Sequence, residues 1–169
     1  MGINNQEFDM VNLKRIVILS VFVLFLAGLT FAGESGPEKA SKTDKCPVCG
    51  MFVYRYPDWT AQVIFKDGTA VFFDGCKDLF KYYLNIKKYS PERKTEDIEA
   101  VYVNDYYRMK SISAFDAFFV VGSDVYGPMG HELIPLSSSE DAEDFRKDHK
   151  GKNILRFGDV NQQVIDELD

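Results

Sequence analysis

The sequence is short of the residues that build most metal and redox enzymes. It has two histidines (His131, His149), three cysteines (Cys46, Cys49, Cys76) and one tryptophan (Trp59). Two histidines cannot supply the three-histidine set of a catalytic zinc site, and a structural zinc site usually draws on two paired knuckles. Only one Cys-x-x-Cys pair is present, so zinc would need Cys76 and a histidine to complete its ligands. Gly50 stands where c-type haem attachment requires histidine, which excludes that cofactor. No Gly-rich phosphate loop and no Ser/His/Asp order occurs. Positive charge is also scarce: 20 Lys and Arg against 26 Asp and Glu leave a net charge of −6. Nucleic acid and anionic lipid surfaces are therefore poor partners.

What is present begins with an export signal. Lys14 and Arg15 precede an apolar run from Ile16 to Ala32, and Thr30 and Ala32 are the small residues of a signal-peptidase site. Cleavage is expected after Ala32, making residues 1–32 a signal peptide; membrane association follows only if this segment stays uncleaved. No cysteine closes the run, which argues against a lipid anchor there. The remaining chain keeps 18 basic and 24 acidic residues, again net −6. At about 137 residues it can bury a moderate core without disulfide staples. In an oxidising compartment its odd cysteine count points to reactive or metal-binding thiols, with a Cys46–Cys49 disulfide as the competing resting state.

Residues 33–44 are mostly Gly, Ser, Pro, Lys and Glu without apolar periodicity, and read as a flexible linker. Beyond them a weak repeat predicts an α+β fold of two related β-hairpin, helix, strand units, residues 45–109 and 110–160. In the first, "AQVIFKDGTAVFFD" is a hairpin around Lys-Asp-Gly, "GCKDLFKYYLN" a helix with Leu79, Phe80, Tyr83 and Leu84 on one face, and "IEAVYVNDY" a strand. In the second, "DAFFVVG" and "HELIPL" are strands around the loop "SDVYGPMG". "SSSEDAEDFRKDHKG" is a helix and "KNILRFGDV" a strand. Ser137 with Glu140 forms a capping box for that helix, Gly151 ends it, and Ala142 and Phe145 face the core. Residues 161–169 form a C-terminal tail with a short helix.

The chemistry concentrates in "KCPVCGMFVYRY". The cysteine pair precedes a strand-like run, where a thioredoxin-type pair would open a helix and gain its dipole. Monovalent copper is the better match to the residue types. It is a soft ion that takes thiolates and thioethers at low coordination number, and Cys49 and Met51 are separated only by Gly50. A second methionine, Met129, lies between Pro128 and Gly130 on a hairpin loop, with His131 two residues on. Taken singly, Met51 and Met129 also fit as core fillers and His131 as a surface histidine. Asp74 is expected to cap the first helix, and Cys76 to lie in its first turn. Disulfide exchange at Cys46 and Cys49, and a small structural zinc site, stay open as alternatives.

The stretches "CPVCGMFV", "AQVIFKDGTAVFFDGCKDLFKYYL", "VYVNDYY" and "AFFVVGSDVYGPMGHELIPLSSSEDAEDF" resemble the nitrous-oxide reductase accessory protein family, NosL. The resemblance runs from about Cys46 to Val160. It implies a periplasmic Cu(I)-binding metallochaperone, not an enzyme, with two ββα-type units resembling those of organomercurial lyase. It also implies delivery of copper to nitrous-oxide reductase or its copper-assembly machinery. Its metal residues carry over onto Cys49, Met51 and Met129, with Cys46 and His131 as further candidates. The chain departs from the family in lacking the lipid-anchor cysteine common in it, and the resemblance assigns no role to Cys76 in "FDGCKD".

Overall fold

The computed structural model describes residues 36–169; the expected signal peptide and cleavage site lie outside the described residues. Among these no helix is long and apolar enough to cross a membrane.

The Lys-Asp-Gly signal forms the expected hairpin. Strands β1 (Ala61–Phe65) and β2 (Ala70–Phe73) pair antiparallel, and Gly68 adopts the positive φ of 82° that the turn requires. Helix α1 (Cys76–Leu84) and a single further turn, α2 (Ile86–Tyr89), lead to β3 (Ile98–Asp105). β3 returns antiparallel to β1 on its other side, with Val63 opposite Val101. A strand the sequence did not announce, β4 (Lys110–Ser113), closes the sheet in the order β2-β1-β3-β4. Its "KSIS" pattern is polar because β4 is an edge strand whose first residues are exposed.

The second sheet has the same logic. β5 (Phe118–Val121) pairs with β8 (Ile134–Leu136), and β9 (Asn153–Arg156) returns along its other edge, giving β8-β5-β9. Between β5 and β8 the chain throws out a two-stranded ribbon, β6 (Tyr126–Gly127) against β7 (Gly130–His131). Helices α3 (Ser139–Asp148) and α4 (Gln162–Asp166) complete the element order.

Alternation along β5 joins the two sheets. Phe119 and Val121 enter the main core with Val63, Phe73, Phe80 and Leu133, while Val120 faces a smaller cluster with Ile134, Leu136, Ala142 and Phe145 under α3. Each fully buried large apolar side chain contributes roughly 2 kcal/mol, so most of the apolar stabilisation comes from the shared core. Ile165 and Leu168 of the C-terminal segment are buried in it as well.

Three local expectations need correction. On α1, Leu84 is exposed and Tyr83 half-buried; Tyr82 takes the core position instead, its ring 5.1 Å from Phe73 and its hydroxyl bonded to Ser90 Oγ at 2.7 Å. The cap of α3 is Ser138, whose Oγ accepts the Asp141 N–H, and the Ser137 N–H that a capping box would offer to Glu140 is given to Asp105 Oδ2 at 2.8 Å. Lys150, with φ 57°, makes the left-handed turn after α3. Gly151 is needed for close approach, since a Cβ there would lie 2.5 Å from Val120 Cγ1.

Candidate metal centre

The cysteine pair lies in a tight loop. Cys46 N–H donates to Met51 O at 2.9 Å, Gly50 N–H donates to Cys46 O at 2.8 Å, and Gly50 has φ 81°, a conformation that favours glycine. The strand-like reading of "MFVYRY" is wrong: after a single bridge between Lys45 and Phe52 the chain makes two one-turn 3-10 segments, Val53–Arg55 and Pro57–Trp59. Pro57 has no N–H for a ladder, and its ring suits the first position of such a turn.

This loop is pressed against the start of α1. Cys46 is buried and its Sγ donates to Asp78 Oδ2 at 3.2 Å; half-buried Cys49 donates to Asp74 Oδ1, also at 3.2 Å. All three cysteines are free thiols. Asp74 does not cap the helix as expected: the cap position is Gly75, without a side-chain bond, and the Asp74 carboxylate faces the thiol. One ligand atom from each of Cys46, Cys49, Asp74 and Asp78 lies within 4.8 Å of the others. Asp74 Oδ2 and Asp78 Oδ1 are buried and have no hydrogen-bond partner. The i, i+4 spacing of the two aspartates puts both at the helix N-terminal end, where the dipole tolerates negative charge.

The electrostatics hold the thiols protonated. Burial, then the carboxylates of Asp78 and Asp74, push the Cys49 thiol up to about 12, against the Met51 N–H that pulls it down. Burial pushes Cys46 higher still, with Asp78 acting in the same direction. Cys76 is buried among apolar side chains and raised by burial and by Glu132, so the helix dipole does not turn it into a thiolate.

The other sequence candidates are placed differently. Met51 follows Cys49 in the same loop, half-buried, with its Sδ accepting the Tyr56 hydroxyl at 3.7 Å. Met129 is exposed at the turn of the β6–β7 ribbon, and His131, also exposed, lies 4.7 Å centroid to centroid from the Tyr126 ring. Among the described residues, no hydrogen bond joins Met129 Sδ to Cys46 or Cys49. The ribbon is nevertheless attached to the same helix turn: Lys77 Nζ donates to Met129 O at 2.8 Å, and the Lys77 N–H donates to the buried Glu132 carboxylate. The Asp74–Asp78 turn thus carries the cysteine loop on its carboxylates and the methionine ribbon on Lys77. Asp74, Asp78 and Glu132 were the residues missed in the sequence; the i, i+4 aspartates flanking Cys76 were the available signal.

Chemically, Cys49 and Met51 form a thiol and thioether pair suited to a soft monovalent ion, while two thiols with two carboxylates suit a borderline divalent one. The comparisons with known proteins agree in direction. The NosL family model matches residues 37–165. The chain is 29% identical over 160 residues to the copper-binding lipoprotein NosL of Stutzerimonas stutzeri, covering 86% of this chain and 80% of that protein. The crystal structure of the copper chaperone NosL from Shewanella denitrificans superposes with a TM-score of 0.64 at 28% identity, covering 76% of this chain and 97% of that one. A solution structure of apo-NosL from Achromobacter cycloclastes is 28% identical, with a TM-score of 0.44 over 62% of this chain and 87% of that one.

Proposed function

The chain belongs to the NosL family, and from that premise we propose that it is a periplasmic Cu(I) carrier that supplies copper for maturation of the copper centres of nitrous-oxide reductase. The observation that carries the reading is the Cys49-Gly50-Met51 turn, which offers a half-buried thiol and a thioether from one loop; Met129 is on a ribbon bonded to Lys77, in the helix turn whose aspartates meet the thiols. Cu(I) is held by Cys49, Met51 and Met129, with Cys46 behind them and His131 on the ribbon. Binding releases the Cys49 proton to solvent, with the adjacent Asp74 carboxylate placed to relay it. Transfer is ligand exchange: a low-coordinate ion is passed to a recipient that offers further soft ligands, with no bond chemistry for the protein to catalyse.

The raised thiols count against a thiol-disulfide oxidoreductase, which needs a lowered nucleophile pKa at a helix N-terminus. A second reading has specific support: two thiols and two carboxylates with one ligand atom each within 4.8 Å of one another, both aspartates keeping a further buried oxygen without a partner, fit a zinc-type divalent ion.

The test is competition of the reduced protein for Cu(I) against a chromophoric chelator, with Cys49→Ser, Met51→Leu and Met129→Leu. Affinity unchanged in all three variants overturns the copper site. Zinc that resists mild chelation and is lost in Asp74→Asn and Asp78→Asn would establish the divalent reading instead.

A further inference from the structure

We propose that Glu132 and Lys77 are positioning residues for the methionine ligand, fixing the ribbon that carries Met129 to the helix turn that faces the cysteines. The inference rests on Met129 being a copper ligand.

Glu132 follows β7 directly and is buried, 3% exposed. Helix α1 has Gly75 at its cap position and so no side-chain cap of its own, and Glu132, 55 residues away in the chain from Lys77, supplies the missing acceptor. One oxygen, Oε1, takes both the Lys77 N–H and the Leu133 N–H. Two glycines make room for this carboxylate. A Cβ on Gly75 would lie 2.1 Å from Glu132 Oε2, and one on Gly127, in the ribbon itself, 3.0 Å from Glu132 Cγ.

Lys77 works from the opposite side. Its side chain is 4% exposed, and its ammonium donates to Met129 O at 2.8 Å and to Leu168 O at 3.1 Å, with Asp169 Oδ1 at 3.3 Å. The bond to Met129 O holds the backbone of the ligand residue itself. Burying a carboxylate and an ammonium is expensive unless each is bonded, and a serine or aspartate at position 75 would cap the helix without that expense. What the Glu132–Lys77 arrangement adds is attachment of the ribbon. Met129 has an exposed side chain on a two-residue turn, and fixing its backbone during folding removes an ordering cost from metal binding.

The experiment is a double-mutant cycle read by Cu(I) competition titration of the reduced protein. Glu132→Ala, Glu132→Gln and Lys77→Met are each placed in the parent and in a Met129→Leu background. In the parent, Glu132→Ala and Lys77→Met should weaken Cu(I) binding about tenfold or more, the usual size of a supporting-residue effect. In the Met129→Leu background they should add nothing, and Glu132→Gln, which keeps an acceptor oxygen, should recover most of the affinity. Equal losses in both backgrounds would reveal a purely structural role and overturn the proposal. Unchanged affinity in both variants, with Met129→Leu still weakened, would overturn it while leaving the copper site standing. No effect of Met129→Leu would remove the ligand and the positioning role together. Lys77→Met leaves every helix N–H bonded, so the cycle remains decisive should Glu132→Ala fail to fold.

Discussion

Asp105 and the pair Asp74 and Asp78 are all buried carboxylates at the ends of regular elements, yet their surroundings are opposite. Asp105 closes β3 and is saturated: its oxygens accept the N–H groups of Tyr107, Arg108 and Ser137 and the Arg108 guanidinium, tying the first sheet to the start of α3. Burial raises its pKa, but the bonds from Ser137 and Arg108 outweigh that and leave it below the ordinary carboxylate value. Asp74 and Asp78 each have one thiol and one unpartnered oxygen. A buried carboxylate with its donors in place is a structural device; one left half-satisfied against a thiol has bonding capacity that the fold itself does not use.

Asp105→Ala should break the comparison most severely on the structural side. It leaves three N–H groups without their acceptor and should destabilise the fold by about 3 kcal/mol, read by urea denaturation, while the folded fraction keeps its Cu(I) affinity. Equal loss of copper binding would show that Asp105 belongs to the site. On the other side, Cys49→Ser should lower Cu(I) affinity by roughly a hundredfold, about 2.7 kcal/mol, with little change in the denaturation midpoint.

Removing the unpartnered charge separates the two kinds of carboxylate further. Asp74→Asn or Asp78→Asn should weaken metal binding about tenfold and leave the apo protein as stable as before, or more so. A loss matching that of Asp105→Ala would erase the distinction. Acid supplies a fourth comparison. Because the folded pKa of Asp105 is depressed, its contribution is complete above the unfolded value of 3.8 and is lost as pH falls through the folded value. Copper binding follows the thiols instead. With Cys49 pushed up to about 12, each thiolate bound costs a proton, so affinity should rise about tenfold per pH unit per thiol across neutral pH. The smallest effect expected is that of Met129→Leu on stability, within about 0.5 kcal/mol for an exposed ribbon residue.

Much of the fold was legible because local signals and tertiary packing agree in it. The Lys-Asp-Gly turn, the strand in "IEAVYVNDY" and the core positions of Ala142 and Phe145 all match the structure. The failures fall where a long-range contact decides. Ser138 caps α3 while the Ser137 N–H goes to Asp105, and "MFVYRY" became 3-10 turns following the cysteine loop although its aromatics suit a strand. β4 was invisible because an edge strand needs little apolar alternation.

The sequence by itself determined the inventory of candidate ligands: one Cys-x-x-Cys, a methionine two residues after it and another on a glycine-flanked turn, with too few histidines for most alternatives. Those are facts of residue type and short spacing, which no fold can alter. Only the tertiary structure decided that Asp74 and Asp78 face the thiols, that the thiols stay protonated, and that Glu132 and Lys77 carry the methionine ribbon. Those properties depend on burial and on contacts between residues as many as 55 positions apart, and the energy of a charge is set by its surroundings, not by its neighbours in the chain.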